Sequence, residues 1–221
     1  MIADTSALRT AIIATALEMN AAGINRGKSG NVSARIDGGF LITPSGLPYA
    51  DTTPDDIVAM DETGTASGTR KPSSEWRFHR DIYRTRAEAA AIVHTHSPFA
   101  TSLACLGRGI PAFHYMIAMA GGNDIRCSPY ATFGTQELSD AALSALNERK
   151  ACLLAHHGMI AVGESLDKAL ALAIEVETLA EMYWRALQIG EPEILADEEM
   201  RRVLAKFSTY GQVPDETGNS R

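Results

Sequence analysis

Cysteine is scarce in this 221-residue chain: Cys105, Cys127 and Cys152 are odd in number, far apart and free of any C-x-x-C spacing. That excludes a disulfide framework and a zinc ribbon, and it suits a reducing cytoplasm. Positive charge is also in deficit, with 20 Lys and Arg against 27 Asp and Glu and a formal net charge of −7. No global basic field exists to hold a nucleic-acid backbone or an anionic membrane, so neither is an expected partner and an anionic ligand must be gripped locally. No apolar run approaches the roughly 20 residues of a membrane-spanning helix. The opening segment, with Asp4 early and its apolar stretch broken by Thr15, does not read as a signal peptide. Repeats, linkers and low-complexity tracts are missing too. What is present, 45% hydrophobic and 21% charged residues, suits one α/β domain over residues 1–221 with a polar, mobile tail from about 212.

Periodicity supplies the elements. Leu8, Ile12, Ala16 and Met19 predict a helix over 5–22, stopped by Gly23. Two short strands, 32–36 and 40–43, are joined by Asp37-Gly38-Gly39, and a further strand is expected over 56–61. Pro72-Ser73-Ser74-Glu75 opens a helix running through Trp76, Phe78, Ile82 and Tyr83. An apolar strand over 89–94 ends on a histidine, Ser97-Pro98 caps a helix to about Leu106, 124–127 reads as a strand and 135–148 as a helix. Strands 151–155 and 159–162 flank His156-His157-Gly158, and a long helix runs from Ser165 as N-cap to Gly190.

Six histidines raise the question of which share a metal ion. On a strand, His94 and His96 of His94-Thr95-His96 point to one face and can grip one ion. A third imidazole from another connection completes a His₃ set with an open position, and at His156-His157 one of two diverging side chains can enter the cleft. Glu75 can be a fourth ligand or a base, and a Glu75/His79 pair four residues apart on one helix is a competing arrangement. These donors suit Zn²⁺ best, with Co²⁺, Mn²⁺ or Fe²⁺ as other occupants.

Gly27-Lys28-Ser29-Gly30-Asn31 fails as a P-loop, because Ala22 stands where a glycine is required and the order is helix, loop, strand. It remains a glycine-rich turn with free N–H groups, and Ser45-Gly46 and Ser73-Ser74 offer the same chemistry twice more, enough together to enclose a phosphate.

Gly30-Asn31-Val32-Ser33, Leu41-Ile42-Thr43-Pro44-Ser45-Gly46, Pro72-Ser73-Ser74-Glu75-Trp76, His94-Thr95-His96 and His156-His157-Gly158 resemble, in order and spacing, the class II aldolase/adducin family. His114-Tyr115-Met116-Ile117, Pro129-Tyr130-Ala131-Thr132-Phe133-Gly134-Thr135 and Thr209-Tyr210-Gly211 extend the likeness, nearest to members acting on L-fuculose 1-phosphate, over about residues 8–211. The resemblance implies a single α/β/α domain with a central, mainly antiparallel sheet, assembled as a C4 homotetramer with interface active sites. It implies zinc-dependent, reversible cleavage of a ketose 1-phosphate to dihydroxyacetone phosphate and a small aldehyde such as L-lactaldehyde. 5-Deoxyribulose or 5-methylthioribulose 1-phosphate is the alternative substrate. A pentulose-phosphate 4-epimerase, a methylthioribulose-phosphate dehydratase and a non-enzymatic adducin-like protein rank lower. By the same resemblance His94, His96 and His157 hold Zn²⁺, and Glu75 is the fourth ligand and moves protons. Tyr115, from an adjacent subunit, and Tyr210 are catalytic on the aldehyde side. Gly30, Asn31, Ser45, Gly46, Ser73 and Ser74 surround the phosphate, while Phe133 and Phe207 line the aldehyde side.

Overall fold

The computed structural model describes residues 3–207. Helix α1 (Ser6–Ala21) is capped by Thr5, whose hydroxyl accepts from Leu8 N at 3.1 Å. A hairpin of β1 (Asn31–Ile36) and β2 (Gly39–Ile42) follows. Its glycines have separate reasons: Gly38 sits at φ 73°, and a Cβ on Gly39 would lie 2.0 Å from Met60 O. The remaining strands are β3 (Val58–Asp61), β4 (Ala66–Ser67), β5 (Ala91–Thr95), β6 (Ile110–Pro111), β7 (Asp124–Ser128), β8 (Ala151–Leu154) and β9 (Gly158–Gly163). The remaining helices are α2 (Trp76–Thr85), α3 (Pro98–Cys105), α4 (Gln136–Ala145), α5 (Leu166–Ile189) and α6 (Asp197–Phe207).

Nine strands form one sheet in the order β4-β3-β2-β1-β5-β9-β8-β7-β6. Only β7 and β8 pair in parallel; the other neighbours are antiparallel. The central strands are buried on both faces, which is why they read as apolar runs rather than as alternating patterns. Ala91, Val93, Leu153, Met159 and Ala161 join a core beneath α1, α3 and α5. Their neighbours Ile92, Cys152, Leu154, Ile160 and Val162 join a second core beneath α2 and α4. The expected α/β/α domain with a mainly antiparallel sheet is what forms.

The differences from expectation have local causes. The strand expected from residue 56 begins at Val58, because Pro54–Asp56 forms a 3₁₀ turn locked by Thr53 N and Oγ1 donating to Asp56 Oδ2 at 2.9 and 2.7 Å. The helix expected to 148 stops at Ala145, and Glu148 adopts φ 57°, which no helix continues through. Helix α6 and the 3₁₀ helix Tyr115–Ala120 against which it packs were not anticipated; α6 is tied down by Asn123 Nδ2 donating to Asp197 Oδ1 at 2.7 Å. Among the described residues no helix is long and apolar enough to cross a membrane. The tail from about 212, like Tyr210, lies outside the described residues.

Phe78 is 1% exposed in the second core, stacked on His79 at 4.6 Å and edge-on to His94 at 5.5 Å between ring centroids. Phe78→Ala is expected to destabilise the protein by about 3–5 kcal/mol in urea denaturation.

Candidate metal centre and active site

Strand alternation brings the first donors together. On β5, Ala91, Val93 and Thr95 face one core, so Ile92 and His94 face α2, and His96 follows on the same side just past the strand end. His157 arrives from the turn between β8 and β9. That turn can lie on the end of β5 only because residue 158 is glycine: a Cβ there would stand 2.3 Å from Thr95 O and 2.9 Å from His96 Cδ2. His156 takes the left-handed conformation, φ 56°, and its exposed ring leans edge-on against Tyr130, so the turn sends only His157 inward. Glu75 occupies the N-cap position of α2, where the helix dipole favours a carboxylate, yet its side chain makes no capping bond. Ser73 Oγ instead accepts from Glu75 N at 3.3 Å, leaving the carboxylate aimed at the histidines.

The result is a knot of acceptors. Donor atoms of Glu75, His94, His96 and His157 all lie within 4.8 Å of one another. His94 Nε2 is 3.1 Å from Glu75 Oε2 and 3.1 Å from His96 Nε2, and His157 Nε2 is 3.1 Å from Glu75 Oε1. His94 Nδ1 lies 2.9 Å from Met159 O and must donate to it, which leaves Nε2 of the neutral ring as a bare lone pair. Glu75 Oε1 is buried without a hydrogen-bond partner. Lone pairs so close repel unless a cation lies among them, so these residues fit a divalent metal ion. The ionisation behaviour agrees. Burial opposes charge on both Glu75 and His94, but their mutual attraction outweighs it, holding the Glu75 carboxyl far below the usual range and raising His94. Burial and the charges of His94 and His157 push His96 down to about 4, so it stays a neutral ligand.

His79 is not in the cluster, which removes the Glu75/His79 pairing as a metal site. It is wholly buried beside β1, with Nδ1 2.7 Å from Ser33 Oγ and Nε2 2.5 Å from Asn31 Oδ1. Asn31 Nδ2 in turn donates to Glu75 Oε2 at 2.9 Å.

A cavity of about 260 Å³ opens over the cluster, lined by Ser29, Ser74, Glu75, His96, Tyr130, Ala131, Phe133, His156 and His157. Of the residues expected around a phosphate, Ser74 lines it. Asn31 and Ser73 are buried beside Glu75, and Ser45 and Gly46 sit on an exposed neighbouring turn. The three loops are nonetheless tied together: Lys28 Nζ donates to Gly46 O at 2.9 Å, Ser45 N to Lys71 O at 3.0 Å and Ser73 N to Thr43 O at 3.1 Å. Phe133 is 65% exposed, its loop held by Arg77 Nη1 donating to Gly134 O at 2.7 Å. Tyr115, 51% exposed, does not line this cavity and stacks on Phe207 at 6.4 Å. Ser29 comes from the glycine-rich turn expected to face a phosphate, whereas Tyr130 and His156 were not expected as lining residues. The signal for His156 was present in His156-His157-Gly158, but which ring turns inward depends on a backbone angle.

Residues 10–184 match the model of the class II aldolase and adducin N-terminal domain. The chain belongs to the class II aldolase/adducin family. It is 63% identical over 205 residues to a 5-methylthioribulose-1-phosphate/5-deoxyribulose-1-phosphate aldolase of Rhodospirillum rubrum, covering 93% of each chain. It is 52% identical over 209 residues to an L-fuculose phosphate aldolase of Escherichia coli K12, covering 94% of this chain and 97% of that one. A solved L-fuculose 1-phosphate aldolase structure superposes with a TM-score of 0.90 at 40% identity, covering 92% of this chain and 97% of that one.

Because a metal needs neutral His94, whose pKa is raised, metal affinity is expected to fall as pH drops through that raised value, by up to about tenfold per unit for one displaced proton. Isothermal titration with Zn²⁺ across pH 5–8 checks this. His96→Ala removes a donor outright and should weaken binding by more than the roughly 10–100-fold typical of losing a partner behind a ligand.

Proposed function

We propose that the chain is a divalent-metal-dependent aldolase cleaving 5-methylthioribulose 1-phosphate and 5-deoxyribulose 1-phosphate to dihydroxyacetone phosphate and an aldehyde. The observation that carries the reading is the convergence of Glu75, His94, His96 and His157 beneath an open cavity, in a chain 63% identical to an aldolase of those sugars. Sequence reasoning placed an L-fuculose 1-phosphate substrate first and these second; the relatives reverse that order. Fuculose 1-phosphate remains the second reading, favoured by the 52% identical relative and the superposable structure.

In the cleavage direction the C3–C4 bond breaks, the C4 hydroxyl gives up its proton to become the aldehyde, and C3 takes a proton to complete dihydroxyacetone phosphate. A bound divalent cation, for which Zn²⁺ is the choice of this donor set, supplies the electrostatic sink for the charge left on the three-carbon fragment. Glu75, buried among the histidines at the floor of the cavity, is placed to move the proton at C3. Ser29 and Ser74, with the N–H groups of the loops that carry Gly30, Ser45, Gly46 and Ser73, hold the phosphate at one end of the cavity. Phe133 lines the aldehyde end. Tyr115 is exposed beside Phe207, a placement open to a neighbouring copy, where it would exchange a proton with the aldehyde oxygen in that copy's cavity in a C4 homotetramer.

The test is dihydroxyacetone phosphate release from the three sugar phosphates, with and without a chelator. The expected result is chelator-sensitive release, with kcat/KM highest for the methylthio and deoxy sugars. A higher value for L-fuculose 1-phosphate selects the second reading, and no release from any refutes both. Glu75→Gln should keep much of the metal yet lose about 10²–10⁴ in kcat, the usual worth of a positioned base.

A further inference from the structure

Behind Glu75 runs a row of buried polar groups that the reaction as described does not use. Tyr83 is 5% exposed, and His79 and Ser33 are wholly buried. Tyr83 Oη lies 2.7 Å from Ser33 Oγ, Ser33 Oγ 2.7 Å from His79 Nδ1, His79 Nε2 2.5 Å from Asn31 Oδ1, and Asn31 Nδ2 2.9 Å from Glu75 Oε2. Proton bookkeeping admits one arrangement. A carboxylate only accepts, so the NH₂ of Asn31 must face Glu75 and its carbonyl must face His79. That carbonyl needs a donor, so His79 carries its proton on Nε2. Nδ1 then accepts from the Ser33 hydroxyl, and Ser33 accepts from Tyr83. Every group in the row is satisfied, and none can be reversed without placing two acceptors face to face.

We infer that His79, donating from Nε2 to the Asn31 carbonyl and accepting at Nδ1 from Ser33, is a positioning residue that holds the Asn31 amide with its donor toward Glu75. The row is built for this. Asn31 and Ser33 alternate on the α2 face of β1, and Asn31 pairs in register with His94, so one strand holds the amide level with the metal donors. His79 lies one turn beyond Glu75 on α2, clamped between Phe78 and Phe40 at 4.6 and 6.5 Å. Burial lowers its pKa to about 3, so it stays neutral and keeps one donor and one acceptor. A buried carboxylate needs a donor that stays in place beside it. An amide free to flip would instead meet that carboxylate with its own carbonyl oxygen.

His79→Gln keeps a donor where Nε2 was and an acceptor toward Ser33; His79→Leu keeps bulk and loses both. Each is compared with the whole protein for melting temperature, Zn²⁺ affinity by chelator competition without substrate, C3 proton exchange in dihydroxyacetone phosphate, and kcat and KM for cleavage. Only the exchange and cleavage arms rest on the aldolase reading. The expected result for His79→Leu is about tenfold weaker Zn²⁺ binding and about 10–100-fold slower exchange and kcat, with KM near that of the parent. His79→Gln should restore affinity and exchange to within about threefold of the parent. Equal losses in folded Gln and Leu variants, or parent-like affinity and exchange in Leu, overturn the inference. Should His79→Leu fail to fold, Ser33→Ala, which removes the donor to His79 Nδ1, decides: slower exchange at unchanged KM supports it, and parent-like exchange overturns it. If the parent neither exchanges nor cleaves, the aldolase reading fails, and the order of Zn²⁺ affinities, Gln above Leu or equal to it, still decides the positioning role.

Discussion

Electron pairs of like polarity facing one another inside a protein cost free energy unless something positive lies between them. In this chain four such donors, on Glu75, His94, His96 and His157, are held within 4.8 Å of one another by elements that have little freedom to relax. His94 is anchored by a backbone carbonyl, His157 by a turn pressed onto the end of β5 through Gly158, and Glu75 by the start of α2. The protein therefore carries a standing electrostatic demand for a cation. The same closeness raises His94 and holds Glu75 low, because each charge favours the other. A metal ion and a proton compete for the same lone pairs, so metal affinity and proton affinity are one property seen from two sides.

The sheet is what makes the arrangement affordable. Antiparallel pairing of β1, β5 and β9 sets Asn31 opposite His94 and His94 opposite Ile160, so three strands present consecutive side chains to one helix. The period of two along each strand then sorts apolar residues to the α1, α3 and α5 side and reserves the α2 face near the strand ends for Asn31, Ser33 and His94. A one-residue slip of β5 would bury Thr95 in the site and turn both histidines toward α3 and α5, so the register of a single strand carries the function.

What could be read from the residues follows from this division. His94-Thr95-His96 was legible because strand alternation is a local rule, and α1, α5 and the β1–β2 hairpin were legible because caps, glycines and periodicity agree there. The choice of His157 over His156 was not a matter of spacing. It rests on one positive φ and on a contact across the sheet, and it was reached through family resemblance. Spacing alone left His79 open as a rival ligand, which the resemblance set aside, because i, i+4 spacing from Glu75 says that two side chains share a helix face without saying what β1 places between them. Helix α6 went unseen because its docking surface, the 3₁₀ helix Tyr115–Ala120, has no periodic signature of its own.

The site also divides by depth. Glu75 and the groups around it are buried: Glu75 is 4% exposed, Asn31 2%, and His79 and His94 are wholly enclosed. Two rings that line the cavity above them are exposed, Tyr130 at 62% and Phe133 at 65%. Buried polar groups must satisfy one another and change only together, whereas exposed rings change one at a time at little cost to folding. A fold built this way holds Glu75 and the histidines in place and leaves the rim of the cavity free to vary. That is the pattern expected of a chain whose relatives, at 63 and 52% identity, are aldolases of different sugar phosphates. The residues that cost the fold least to exchange are the exposed rings at that rim, Tyr130 and Phe133.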